Sequence, residues 1–380
     1  MYRRAQIWFL YLLCIILAYF PLIGVRGSIT TADTKTSDWC IAECMCLSKT
    51  QILCNTGGLT DIPSRLPSDL EQLSLSKNNF SIIRSDAFAR LRSLRKLSLD
   101  NNLVGIIKPF AFRGLSKLES LSIQHTSLAH IDQFSFTALQ NVSSVILAYN
   151  KIAYIMGKAF AGSSQIQYIV LSHNPLKTIY SNAFSGLTYV DHLLLPGGIR
   201  SIEPDAFNGL ENVKNLMIQT SDLGIIYKDA FFGLEHIEAL NILSNKIDAI
   251  EEFHLASNFS INVLRFHKNH VLRAPKYGDA TFHVNTISAD GNHFPCDCQI
   301  HLVLESDFVN GSVDEFRKHN FCIATADING MNMSLVNLDS IASCHDRLMK
   351  DNYGSGVSID FGAISFVVPI AFYLARLLLT

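Results

Sequence analysis

The sequence predicts an α/β solenoid: a curved stack of short parallel strands, closed at each end by a disulfide-stapled cap. Three observations predict it. A hydrophobic segment recurs every 23 or 24 residues, a phenylalanine returns at one phase of that repeat, and two groups of four cysteines flank a cysteine-free middle.

The repeat has the form L-x-x-L-x-L-x-x-N and opens at Leu70, with Leu73, Leu75 and Asn78 in its fixed places. It returns at Leu94, Leu118, Val142, Ile166, Val190, Val213, Ile237, Ile261 and Val284. Leu73-x-Leu75 alternates with period two, so it reads as a short strand with its leucines facing inward. Ten stacked units make a parallel sheet on the concave side, one strand per repeat. Asn78, Asn102, Asn150, Asn174, Asn245, Asn269 and Asn292 stand where the chain leaves each strand. A side-chain amide there can satisfy backbone groups that the sheet ladder abandons. Phe88, Phe112, Phe136, Phe160, Phe184, Phe207 and Phe231 share one later slot and predict an internal aromatic spine on the convex side. Short helical or irregular segments are expected around that spine. Thr126, Gly198 and Ser221 replace the asparagine, and Pro196 beside Gly198 predicts a local change in curvature. The spine slot degrades through Arg273 to Gly278, which predicts a looser loop.

The ends follow a different logic. Arg3 and Arg4 precede an apolar run from Ile7 to Phe20, and Val25 and Gly27 sit where a signal protease would look, so residues 1–27 read as a secretory signal. Cys14 would leave with it. The other eight of the nine cysteines are Cys40, Cys44, Cys46, Cys54, Cys296, Cys298, Cys322 and Cys344. On a secretory route such even clusters imply disulfides rather than a zinc site.

These features resemble the typical 24-residue class of extracellular leucine-rich repeats. Cys40-x3-Cys44-x-Cys46-x7-Cys54 is similar to that family's N-terminal cap. Asn292-His-Phe-Pro-Cys296-Asp-Cys298 with Cys322 and Cys344 is similar to its C-terminal cap. The family includes Slit, the Nogo receptor, connectin and the Toll ectodomains. The resemblance implies a leucine-rich-repeat solenoid with the pairing Cys40–Cys46, Cys44–Cys54, Cys296–Cys322 and Cys298–Cys344. It divides the chain into a cap at 39–69, repeats at 70–292 and a second cap at 293–345. Caps of this kind shield an apolar core that end repeats would otherwise expose.

Beyond the second cap, residues 346–360 form a linker with Asn352, Gly354 and Ser355 as tenable lipid-attachment sites. Residues 361–380 are an apolar tail interrupted by Arg376. Small residues, a spacer and a terminal apolar run match a glycolipid-anchor signal better than a transmembrane helix, because no basic residues follow. On either reading no cytoplasmic domain is expected, so that the protein would need a partner in its own membrane to signal, or would only adhere.

No catalytic signature is present, neither a nucleophile elbow nor a zinc-protease helix nor a phosphate loop, and no cofactor is implied. A net charge of −2, from 31 basic and 33 acidic residues, gives no basic surplus for nucleic acid. The 13 histidines are scattered. His125, His173, His192 and His267 are expected to project from the sheet in different columns, which argues against a metal site. Binding is the better prospect. The central outward column runs Ser74, Ser98, Ser122, Ile146, Val170, Leu194, Met217, Asn241, Arg265, Ser288, with four apolar members in the middle. Ala148, Tyr149, Tyr168 and Leu243 extend that strip. Strands about 4.8 Å apart make it about 15 Å long, and its area approaches the roughly 300 Å² at which apolar patches usually mean contact. Sequons at Asn79, Asn141, Asn258, Asn310 and Asn332 fall outside it. The expected function is therefore cell-surface recognition or adhesion, with an extracellular protein or receptor as partner, including a second copy of the chain. A secreted matrix organiser and an innate-immune sensor are the alternatives.

Overall fold

A computed structural model describes residues 40–137, 139–251, 261–275, 284–323 and 330–341. The signal segment, the linker with its anchor sites, the apolar tail, Asn258 and Cys344 lie outside the described residues. The described residues all belong to one compact unit spanning Trp39–Thr380.

Among the described residues the broad sheet has twelve strands. Ten come from the repeats and pair in parallel, in the register the repeat letters demand: Ser74 beside Ser98, Ser98 beside Ser122, Ser122 beside Ile146, and so on to Arg265 beside Ser288. The other two, Met45–Ser48 and Gln51–Leu53, form an antiparallel hairpin that adds to the first repeat through Gln51–Leu53. That hairpin covers the sheet edge and leaves only its own short strand unpaired. Inward leucines such as Leu73, Leu97 and Leu121 are buried, and one continuous core runs the length of the stack.

The asparagines act as expected. Asn102 donates from Nδ2 to the carbonyls of Leu75 (2.9 Å) and Leu99 (2.8 Å), and its Oδ1 accepts the Phe80 N–H at 3.3 Å. Asn150 does the same with Ile123, Leu147 and Thr126. Each amide thus stitches its own repeat to the one before. The ladder has an end member the repeat pattern does not contain: Asn320, in the C-terminal cap, accepts the Asn292 N–H at 2.9 Å and donates to the Ala289 carbonyl at 2.8 Å.

On the back of the sheet the expectation of helical or irregular segments needs narrowing. Among the described residues the repeats contain no helix there. They carry two-residue strands that pair into short parallel sheets, such as Ile82–Ile83 with Ile106–Ile107 and His130–Ile131 with Tyr154–Ile155, followed by turns. The physical reason is backbone sign. Asp86, Phe110, Phe134, Lys158, Asn182 and Asp205 each have φ between 58° and 63°, just before the buried spine phenylalanine. One residue in the left-handed region stops a right-handed helix from propagating. The spine itself is present. All seven phenylalanines are buried, and Phe88, Phe112, Phe136 and Phe160 stack at centroid spacings of 5.4 to 5.9 Å.

Both caps are stapled. Cys40–Cys46, Cys44–Cys54 and Cys296–Cys322 are bonded as the family resemblance implied. Cys298 is also disulfide-bonded, while its expected partner Cys344 lies outside the described residues. Among its described residues the C-terminal cap supplies two short α-helices, Ile300–Leu304 and Val313–His319. Its Phe308 packs against Phe266 and Phe294, with ring centroids at 4.7 and 5.5 Å, and so closes the apolar core.

At the same end His293 stacks on His270 at 4.2 Å. Burial, and then the charge of His270, hold the His293 imidazole below its ordinary range. The unfolded chain therefore takes up this proton first, near pH 6.5. His293 should contribute stability in full above that pH and lose it as the pH falls toward the folded value. The unfolding midpoint should be level above about pH 7 and fall below about pH 6.5, and His293→Phe should flatten that slope when melting curves are taken across the range.

Candidate binding face of the sheet

Side chains between the inward leucines point off the sheet in columns, because every strand repeats one register. In the central column Ile146, Val170, Leu194 and Met217 are direct neighbours on consecutive strands. All four are half-buried, since their neighbours in the columns on either side cover part of each.

The next column toward the strand ends reads Gln124, Ala148, Ser172, Pro196, Gln219. Ala148 is 4% exposed, and Pro196 is buried two residues after the end of the Tyr189–Leu194 strand, so both belong to the floor rather than to an open surface. Tyr149 and Tyr168 stand at the two margins, 47% and 44% exposed. Leu243 is not brought into the same group. It lies beside Gln219 and His267, with Gln219 between it and the Pro196 position.

The histidines correct one expectation. His125 and His173 share a column, with Tyr149 between them, and the three rings stack at 4.8 and 4.2 Å. This happens because His125, Tyr149 and His173 all have φ between 53° and 57°, which lifts the three side chains off the strand at one place. On the other margin Tyr168 stacks on His192 at 4.6 Å. The result is a trough: an apolar floor bordered by two columns of stacked aromatic and imidazole rings. Period-two alternation places the floor residues, but a column set by positive φ carries no such signal. Among the described residues no group of three or more histidine, cysteine or acidic side chains is arranged to hold a metal ion.

Polar neighbours are satisfied among themselves. Before the trough, Asp100 accepts from the Ser122 hydroxyl (2.7 Å) and the Gln124 N–H (2.8 Å), and Ser98 bonds the same carboxylate at 3.0 Å. After it, Arg265 donates to Asn241 Oδ1 at 3.1 Å, and His267 meets the Ser288 hydroxyl at 2.8 Å. At the strand entrance Lys214 Nζ lies 2.9 Å from Asp191 Oδ1. The Asp191 hydrogen bond, followed by that of Tyr189, pushes the lysine well up, so it stays charged. Burial pushes Asp191 up, but the bonds from Lys214 and Tyr189 outweigh it and hold the carboxyl below its ordinary value. The flanks therefore have little unmet polar demand, and the trough floor has no fixed charge.

The family model described as the BspA type leucine rich repeat region matches in six copies, over residues 67–190 and 177–283. The chain belongs to the leucine-rich-repeat family. Among solved structures, this leucine-rich-repeat chain is similar to one described as the crystal structure of the TLR13-ssRNA13 complex. That match has 21% identity and a TM-score of 0.53, over 71% of this chain and 42% of the other. The likeness shows a shared fold, and this chain spans less than half the length of that relative. A second solved structure, human 5T4 (Wnt-activated inhibitory factor 1, trophoblast glycoprotein), matches at 19% identity with a TM-score of 0.44, over 80% of this chain and 99% of that one. No curated protein sequence matches.

Of the sequons, Asn79, Asn141 and Asn310 are exposed and Asn332 is half-buried. Asn332 Nδ2 donates to the Lys318 carbonyl at 2.8 Å while its Oδ1 accepts the Ser334 N–H at 2.9 Å. None of the four lies in the trough.

Proposed function

We propose that this leucine-rich-repeat chain is an extracellular recognition protein that binds a protein ligand through the trough on its sheet, held at the cell surface by a glycolipid on its C-terminal segment. The trough carries the reading. Four half-buried aliphatic side chains form an uncharged floor, and Tyr149 and Tyr168 present large, rigid, amphipathic edges beside it. Aromatic margins around an apolar centre match the composition of protein interface cores. The disulfides fit an oxidising compartment, and the absence of an organised acid–base or nucleophile constellation among the described groups favours binding over catalysis.

The test is a screen of the multimerised protein against cells and surface proteins. A triple variant, Ile146→Glu, Val170→Glu and Met217→Glu, runs beside it after a check of its circular dichroism. The wild type is expected to bind, and the variant to lose more than tenfold in affinity, because three carboxylates would have to be desolvated in the contact. Full retention by a folded variant would remove the trough as the site. Release of the protein from expressing cells by a phosphatidylinositol-specific phospholipase tests the anchor separately.

A further inference from the structure

The near-zero net charge conceals a strong polarity along the stack. Residues 81–120 hold eight lysines and arginines against three acids, whereas residues 203–251 hold nine acids against three lysines. Internal pairs absorb only part of this. Arg84 pairs with Asp61, Arg95 with Glu119 and Arg113 with Asp86 in the basic part, and Lys246 pairs with Asp222 in the acidic part. Lys108, Glu203 and Glu235 make no ion pair among the described residues.

Between the two charged parts, on the edge away from the broad sheet, lies an apolar cluster unrelated to the trough. Tyr154, Met156 and Tyr180 are 40%, 44% and 45% exposed, on two consecutive repeats. Met156 and Tyr180 occupy one column of the back edge, the position just after each two-residue strand. The backbone confirms the alignment, since the N–H groups of Lys108, Met156, Glu203 and Glu251 each bond the carbonyl of the buried isoleucine one repeat earlier. In chain order the column reads Arg84, Lys108, Asp132, Met156, Tyr180, Glu203, Tyr227, Glu251. It opens on two basic residues, passes through one carboxylate at Asp132, and is acidic or phenolic after Met156.

We propose that this edge is a self-association surface on which two copies of the chain meet antiparallel about a two-fold axis at Met156. An axis running along the strand direction reverses the order of repeats and returns each column to itself, as an isologous contact requires. Met156 then meets its own copy. Asp132, one repeat before, faces Tyr180, one repeat after, so a carboxylate meets a phenol hydroxyl. Lys108 faces Glu203, and Arg84 faces the ring of Tyr227, an opposite-charge pair and a cation over an aromatic ring. No like charges meet in this column. Lys158, one column over, faces its own copy, which confines the contact to the Met156 column and its Tyr154 side. A parallel arrangement would instead set basic part against basic part and acidic against acidic. The second copy is thus the partner whose charges complement this edge without adjustment, and no sequon at a described residue falls in the column.

The inference is independent of the trough, which faces the other way, and its test separates the two. Sedimentation velocity of the full chain, over a range of concentrations up to about 100 µM and at about 50 and 500 mM salt, should show a monomer–dimer equilibrium weakened several-fold at the higher salt. Lys108→Glu alone and Glu203→Lys alone should each weaken the dimer by at least tenfold. Lys108→Glu with Glu203→Lys in one chain should restore it, because the swap rebuilds both pairs. Met156→Glu should abolish it while leaving trough binding intact. A wild type that stays monomeric at low salt, or a dimer indifferent to both single variants, or a double variant no better than the singles, would overturn the proposal.

Discussion

Asn269→Ala is expected to destabilise the protein by about 2–5 kcal/mol, although the side chain belongs to neither surface argued above. Asn269 is fully buried. Its Nδ2 donates to the Ile242 carbonyl at 2.8 Å, and its Oδ1 accepts the Asn245 N–H at 2.9 Å and the Asn245 amide at 3.1 Å. Alanine removes the partner of two buried backbone groups at once, and each orphaned group costs about 1–3 kcal/mol. The same side chain also donates to Asn292 Oδ1 at 3.2 Å, so the loss reaches the next rung. Urea unfolding followed by circular dichroism should show the midpoint falling with little change in slope. Asn262→Ala, on the exposed face of the neighbouring strand, should change stability by no more than about 0.5 kcal/mol. Equal effects from the two would show that the ladder contributes nothing beyond an ordinary surface amide.

The asparagine ladder also shows how far the sequence could be read. A residue whose job is fixed by its phase in the repeat announces itself: Asn78, Asn102 and Asn150 recur at one place because each turn abandons the same backbone groups. The inward leucines, the strand register and the spine phenylalanines were legible for the same reason. Asn320 was not, because it closes the ladder from the cap, 28 residues after Asn292 and out of phase with the repeat. The ring stacks at the trough margins were legible only in part. His125, Tyr149 and His173 stand 24 residues apart and share one phase, as Tyr168 and His192 do. Strand alternation does not tell, however, that left-handed residues past the strand set the first three rings at the margin, because side-chain type does not reveal backbone sign. The absence of helices behind the sheet has the same origin. Two residues expected in the strip, Ala148 and Leu243, show the limit of column reading in the other direction. Facing outward by register does not settle whether a side chain is open or joins a patch, and here Ala148 is buried while Leu243 stands apart.

Phe136→Ala should have the second large effect, about 3–5 kcal/mol, and should separate this spine from ordinary core packing. Phe136 is fully buried, stacked on Phe112 at 5.5 Å and on Phe160 at 5.4 Å. Truncation removes a ring from the middle of a column, so two neighbours each lose a stacking partner in addition to the apolar area. Its carbonyl accepts the buried Ser163 hydroxyl at 2.7 Å, which ties the ring's backbone to the next repeat and limits collapse of the cavity. A stack stabilised by nearest-neighbour contacts should respond locally. Hydrogen exchange should therefore rise first in the repeats holding Phe112 and Phe160, and least in the two caps. Phe136→Leu, which keeps most of the volume without the ring faces, should recover more than half of the loss. If it recovered all of it, the column would be filling space and the stacking geometry would add nothing. If protection fell equally in both caps, the repeats would unfold as a single unit and the nearest-neighbour account of this solenoid would be wrong.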